Sequence, residues 1–375
     1  MTWDIPLFKM YWDENDIETV NAVLRSGMNW AVGSKVTQFE TNIAEYIGTK
    51  YCLTFNSGTS ALHVALIAHG IGKGDEVIVP SFTFIATANA SLFVGAKPVF
   101  ADIEEKTLGM SPESLLKSIT PKTKAIIPVH YGGCPCQIKE IREIAEDHNL
   151  VIIEDAAEAF GASVDGTKVG TYGDSAILSF CQNKVITTGE GGALVTDSRD
   201  VYEMGKLIRS HGRLETSDYF NTHESMDYVT LGHNFRLSNI AAALGLAQLR
   251  KVEAIVDMRK AIANIYESVL PEKAPEAATL RVPDGYTHVH QLFSIRVPKR
   301  NGLMQFLKEK GIMSKIYFDP VHQTYYYRHE LGYQISLPMT EQVANDIVSL
   351  PIYPGMPVDD VIKVVEAISD YYAGM

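Results

Sequence analysis

Tyr51-Cys52-Leu53-Thr54-Phe55-Asn56-Ser57-Gly58-Thr59-Ser60-Ala61-Leu62 reads as a strand, a turn of small residues and the start of a helix. The strand is placed at Tyr51 to Phe55 and the helix at Ser60 to Gly70. The same grammar then repeats. Strands are expected at Glu76 to Val79, Pro98 to Ala101, Ala125 to Pro128 and Val151 to Asp155. Helices are expected between them at Ala86 to Gly95, Pro112 to Ser118 and Cys136 to His148. Short apolar runs alternating with helices predict an α/β fold, with a mostly parallel sheet covered on both faces. Ligands of such sheets bind beyond the carboxyl ends of the strands.

Outside this run, Asp13 to Ser26 and Thr37 to Ile47 read as amphipathic helices, with Phe39, Ile43 and Ile47 on one face. Thr37 and Glu40 have the spacing of a capping box. Asn239 to Tyr266 predicts a long alanine-rich helix with room for one break. It leads to a smaller α+β lobe. There, His290 to Val297 and Lys315 to Phe318 read as strands, and Gly302 to Lys310, Thr340 to Ser349 and Val358 to Tyr372 as helices. The expected division is a large domain over residues 1–250 and a small C-terminal domain over 251–375.

The chain has 375 residues and a hydrophobic fraction of 46%, enough for a sizeable core. Its net charge of −12 and lack of a basic stripe argue against a nucleic-acid or anionic membrane partner. Cys52, Cys134, Cys136 and Cys181 lack metal-site or redox-pair spacing, and read as reduced thiols of a cytoplasmic protein with no metal. The N-terminus has no basic head before an apolar core, so no signal peptide is expected. Val77 to Ala96 is uncharged, but Pro80, Ser81, Thr83, Thr87, Asn89 and Ser91 suit a strand, turn and helix better than a membrane span.

The chemistry is carried by a few strand ends. Lys184 lies in Ser179-Phe180-Cys181-Gln182-Asn183-Lys184, just before Thr187-Thr188-Gly189-Glu190-Gly191-Gly192. An apolar run precedes this lysine and a glycine-rich turn follows it. Such an amine can form a Schiff base with an aldehyde cofactor. Asp155 ends the strand Val151-Ile152-Ile153-Glu154-Asp155, where a carboxylate can hold a pyridine nitrogen protonated. A lysine with a strand-end aspartate is what pyridoxal phosphate requires. A solvated strand-end acid is the bland reading of Asp155 alone. Glu158, one helical turn on, can reach a ring hydroxyl, or can simply favour the helix dipole. The small residues at Gly58 and Thr59 let backbone N–H groups meet a phosphate, although Ser and Thr also make ordinary N-caps. After the next strand, either Phe82 or Phe84 could lie against a cofactor ring. The sequence does not choose between them.

With these residues assembled, the chain resembles the DegT/DnrJ family of sugar aminotransferases, of the aspartate-aminotransferase fold (fold type I). The matching runs are Asn56 to Leu62, Pro80 to Thr87, Glu154 to Ala159, Ser179 to Gly192, Gly232 to Ile240, Asp319 to His322 and Ser349 to Pro354. They occur in family order over nearly the whole chain. The resemblance implies that Lys184 is the catalytic Schiff-base lysine. It implies that Asp155 pairs with the pyridine nitrogen, Glu158 with the ring hydroxyl, and that Phe84 stacks on the ring. Gly58, Thr59 and Ser179 would hold the phosphate. Asn234 would reach the phosphate of a partner subunit's cofactor, in a homodimer with shared active sites. His322 would border the sugar pocket. Glu158 and Asn183 look most like the GDP-perosamine synthase branch, in which L-glutamate aminates C4 of a nucleotide-linked 4-keto-6-deoxyhexose. Candidate cations for the nucleotide's diphosphate are Lys35, Arg209, Arg213 and Lys315. Rival readings are a C3-keto sugar, an aminocyclitol or aminoshikimate-type ring, or a non-catalytic regulator of the same fold. The first strand–helix turn lacks a Gly-x-Gly-x-x-Gly pattern, which sets a dinucleotide enzyme aside.

Overall fold

The computed structural model describes residues 3–214, 222, 223 and 225–375. Two N-terminal helices come first, α1 (Glu14–Arg25) and α2 (Ser34–Ile47). The repeating part follows as β1 (Tyr51–Phe55), α3 (Gly58–Ala68), β2 (Glu76–Pro80), α4 (Ala86–Phe93), β3 (Lys97–Ala101), α5 (Pro112–Ser118), β4 (Thr123–Ile126), α6 (Ile138–His148) and β5 (Val151–Asp155). Two short strands, β6 (Ser163–Val164) and β7 (Thr167–Lys168), precede β8 (Ser175–Ser179), β9 (Gly192–Thr196) and α7 (Arg199–Arg209).

Seven strands form one sheet in the order β1-β9-β8-β5-β4-β2-β3. Pairing is parallel from β8 through β3, while β9 runs antiparallel to both neighbours. Six strands therefore end at one edge, and the reversed β9 starts there, with Gly192 opposite both Phe55 and Ser179. Alternate residues feed opposite faces, as the two-residue period demands. Ala176 and Leu178 pack with Phe39, Ile43 and Leu246, whereas Ile177 packs with Leu53, Leu62 and Val79. Every residue of β2 and β9 is buried, the mark of a sheet covered on both sides.

Helices α8 (Asn239–Leu249) and α9 (Val252–Lys273) follow. The predicted break falls at Arg250 and Lys251. There the Lys251 ammonium turns to Asp13 at 2.9 Å and also meets Asp16. Beyond come β10 (Ala278–Thr279), β11 (Tyr286–Thr287), β12 (Phe293–Arg296), α10 (Arg300–Glu309), α11 (Pro338–Asp346), β13 (Ile347–Leu350) and α12 (Val358–Ala373). Strands β10, β12 and β13 make an antiparallel sheet, and β11, β6 and β7 another. A separate core of Tyr266, Leu270, Phe293, Leu303, Val348 and Val364 lies under the first of these.

Three local expectations are corrected. The capping box at Thr37 and Glu40 does not form, because α2 begins earlier, behind Gly33. Glu40 instead accepts from Thr54 N–H at 2.8 Å and from the Arg209 guanidinium. The capping box sits on α1, where Asp13 and Asp16 satisfy each other's backbone N–H. Lys315 to Phe318 is not a strand; Lys315 makes one isolated bridge, to Ser349. The helix expected over Thr340 to Ser349 stops at Asp346. The β-branched pair Ile347-Val348 joins the sheet through β12 instead.

Candidate active site

The carboxyl edge of the large sheet holds a cavity of about 370 Å³. Gly58 and Thr59, Thr83, Phe84 and Thr87, Asp155 and Glu158, Ser179 and Lys184, and Lys315, Tyr317 and Phe318 line it. The wall comes from the ends of β1, β2, β5 and β8, as the parallel topology dictates.

Asp155 is the last residue of β5 and is buried. Its Oδ2 accepts from the Thr87 hydroxyl at 2.8 Å and its Oδ1 from the Ala157 N–H at 3.2 Å. Burial pushes its pKa above the usual carboxylate value, and the nearby Glu158 charge adds to the rise. Lys184 and the two hydrogen bonds oppose the shift. Glu154, one residue earlier, faces the other side of the sheet. It accepts from the N–H groups of Gly170, Tyr172 and Gly173 at 2.8 Å and pairs with His130 at 3.0 Å. Of the two adjacent acids, one fixes a loop and the other faces the cavity.

Lys184 reaches its position through a tight turn, its N–H donating to the Cys181 carbonyl at 3.0 Å. Its ammonium lies 3.4 Å from Glu158 Oε1, and Glu158 Oε2 accepts from Gly132 N–H at 2.9 Å. The carboxylate is thus held on one oxygen and faces the lysine with the other. Asn183 is clamped from the C-terminal part, where Gln291 donates to its carbonyl.

Helix α3 opens at the cavity. Ser57 caps it by accepting from Ser60 N–H at 3.1 Å, which leaves the first amides, Gly58 and Thr59, without intrahelical partners. A side chain on Gly58 would place its Cβ 3.2 Å from Ser179 Cβ, so the glycine lets the helix start come close to β8. Phe82 is fully buried among Tyr131 and Phe318, whereas Phe84 is 59% exposed and lines the cavity. The strand ends at Pro80, so the two rings do not share a face, and the choice the sequence left open falls on Phe84 as the ring that lines the cavity.

Two predicted site residues are not brought to this cavity. Asn234 is exposed and bridges to Ser210. His322 is buried, its Nδ1 2.7 Å from Ser81 Oγ and its Nε2 3.3 Å from Glu341 Oε1. Burial lowers its pKa, and it ties the turn after β2 to the start of α11. The four candidate cations also separate. Lys35 hydrogen-bonds Gln38, Arg209 is committed to Glu40 and the Thr54 carbonyl, and Arg213 is buried elsewhere. Lys315 lines the cavity, with its ammonium 5.1 Å from the Tyr317 ring centre. Sequence reasoning missed Gln291, which lies 108 residues from Asn183 with no local signal. It also missed Thr83 and Thr87, whose four-residue spacing was a signal.

The donor set fits a pyridine ring with a phosphate. The lining combines helix amides and a hydroxyl, a buried carboxylate that makes no ion pair among the described residues, an aromatic face, and two amines, Lys184 and Lys315. Among the described residues no cluster of side chains could hold a metal ion, and no helix is long and apolar enough to cross a membrane.

The profile of the DegT/DnrJ/EryC1/StrS aminotransferase family matches residues 11–369. The GDP-perosamine synthase of Vibrio cholerae is 36% identical over 373 residues, covering 98% of this chain and 99% of its own. A Helicobacter pylori aminotransferase involved in the biosynthesis of pseudoaminic acid superposes with a TM-score of 0.92 at 29% identity, over 99% of this chain and 100% of its own. A Streptococcus pneumoniae protein solved in its PLP-form superposes with a TM-score of 0.92 at 27% identity, over 99% of both chains.

Proposed function

Because the chain belongs to the DegT/DnrJ/EryC1/StrS aminotransferase family, and is a pyridoxal-phosphate-dependent sugar aminotransferase of fold type I, we propose that it transfers the amino group of L-glutamate to C4 of a nucleotide-linked 4-keto-6-deoxyhexose. The observation that carries this reading is the cavity wall on which Lys184, Glu158 and Asp155 converge beside Asn183. Glu158 and Asn183 are the features that resemble the perosamine-synthase branch, and the full-length similarity to a GDP-perosamine synthase supports the same substrate class.

Bound pyridoxal phosphate supplies an aldehyde that condenses with amines, and a ring that takes up electrons when its nitrogen is protonated. The protein's part is to bind, orient and move protons. Gly58 and Thr59 N–H groups, at the positive end of α3, take the phosphate with the Ser179 hydroxyl. Asp155 holds the ring-nitrogen proton, Glu158 meets the ring hydroxyl, and Phe84 supports the ring face. Lys184 would hold the aldehyde through Nζ, and when freed from it Nζ would take the proton from the donor's Cα. In the second half it returns a proton to the sugar's C4. The sum is glutamate and keto sugar in, 2-oxoglutarate and amino sugar out. Lys315 is placed to meet an anionic group of either substrate. Asn234 acts across a dimer interface.

The test is a panel of nucleotide-linked C4-keto and C3-keto sugars with L-glutamate as donor, with products identified by NMR. Amination of the C4-keto sugars is expected. If the half-reaction with glutamate proceeds and only a C3-keto sugar or a cyclitol ketone is aminated, the C4 assignment falls.

A further inference from the structure

We infer that Thr83 and Thr87 form a hydroxyl relay that aims Asp155 at the cofactor's ring nitrogen, which makes Thr87 a positioning residue of the reaction. The inference rests on Asp155 being the ring-nitrogen partner, and the experiment below separates the two.

Asp155 carries its charge in a buried place, which disfavours the ionised form. Its polar support is small: the Thr87 hydroxyl at 2.8 Å on Oδ2 and the Ala157 N–H at 3.2 Å on Oδ1. Thr87 does not stand alone. Thr83 Oγ1 lies 2.8 Å from Thr87 Oγ1, and both residues are buried. A hydroxyl has one proton. Thr87 gives its proton to Asp155, so its lone pair accepts from Thr83. The two O–H groups then donate in series toward the carboxylate. Hydrogen bonds in series polarise one another in a low-dielectric site, so the outer hydroxyl strengthens the inner one.

The backbone places the relay without further help. Thr83 stands in the turn that enters α4, and Thr87 is one helical turn on. Thr87 N–H donates to the Phe84 carbonyl at 3.1 Å, which closes that turn. Phe84 sits between the two threonines and presents its ring to the cavity. One turn of chain thus carries the ring support and the carboxylate's orientation, so both reach the cofactor in fixed register. A relay that only tied α4 to β5 would leave the ring nitrogen indifferent to its removal.

The experiment reconstitutes the protein with ¹⁵N-ring-labelled pyridoxal phosphate and records the ring-nitrogen resonance in wild type, Thr87→Val, Thr87→Ser, Thr83→Val and Asp155→Asn. kcat and KM are measured alongside. Asp155→Asn and Thr87→Val are expected to move the resonance downfield, toward unprotonated pyridine. Thr87→Ser should restore it, and Thr83→Val should move it less in the same direction. Losing a hydrogen bond to a charged group should lower kcat by about ten- to hundredfold in Thr87→Val, with little change in KM for the keto sugar. If Asp155→Asn moves the resonance and Thr87→Val leaves it at the wild-type position, the relay is overturned and Asp155 keeps its role. If Asp155→Asn leaves it unmoved, the reading of Asp155 fails and the relay with it. Should Thr87→Val not fold, an unmoved resonance in Thr83→Val overturns the relay in its place.

Discussion

At the scale of single residues, the site sets stability against use. Asp155 is buried, and its pKa is raised by that burial. A raised folded-state pKa means a contribution to stability that is present below the unfolded value of 3.8 and lost as pH rises through the folded value. At neutral pH the charge therefore destabilises the cofactor-free protein. Asp155→Asn should raise the melting temperature of the cofactor-free protein at pH 7 by a few degrees. The gain should fade as the pH approaches 4, while cofactor affinity falls. Thermal melts from pH 4 to 8 with and without pyridoxal phosphate would check this, and a lower melting point at pH 7 would count against it. Lys184 sets a harder limit. If it is the Schiff-base lysine, its amine must lose and regain a proton, and arginine stays charged at working pH. Lys184→Arg should lose multiple-turnover activity by more than about a thousandfold, although Glu158, 3.4 Å away, could still meet a cation. Turnover near the wild-type rate would remove this lysine from the mechanism.

At the scale of elements, the cradle depends on how closely α3 approaches the sheet. Gly192 starts β9 between Phe55 and Ser179. A Cβ there would stand 2.4 Å from Gly58 N and 2.5 Å from the Ser57 carbonyl carbon, both backbone atoms that cannot swing away. Gly192→Ala must push the helix start off the strand, which moves the amides of Gly58 and Thr59. Cofactor affinity should fall at least about tenfold, with a stability loss of roughly 1–3 kcal/mol. Titration with pyridoxal phosphate and urea unfolding would show both, and unchanged affinity would mean that α3 does not hold the phosphate. The repeating strands and helices of the large sheet were legible because apolar runs, turn residues and helical spacing agreed along the chain. The lapses fell where a long-range contact outweighed local pattern. Glu40 looked like a cap but serves Thr54 and Arg209, and Ile347-Val348 left a helix pattern to pair with β12. Gln291 was invisible for the same reason, since nothing near it in sequence names Asn183 as its partner.

At the scale of the whole molecule, one protomer accounts for the lysine, the carboxylates and the phosphate cradle, but leaves Asn234 outside. Lys184, Asp155 and the glycines could be read from the chain because each stands at a strand end or turn with a chemical signature. Asn234 has none; its role came from resemblance alone. What surrounds it supports a second copy as its destination. Asn234 is exposed, and Leu231, three residues earlier, is 85% exposed, with Tyr228 and Val229 also exposed beside it. Apolar side chains left that open suit a subunit contact. If Asn234 completes the partner's site, two defective chains can repair each other. A protomer carrying Lys184→Ala keeps Asn234, and one carrying Asn234→Ala keeps Lys184. Their hybrid dimer has one site with both defects and one with neither. Equal mixing with full exchange of protomers should therefore restore roughly a quarter of the wild-type rate at limiting cofactor, where each parent alone is weak. Activity that stays at the mean of the two parents, with hybrid dimers shown by native mass spectrometry, would place Asn234 outside the shared site.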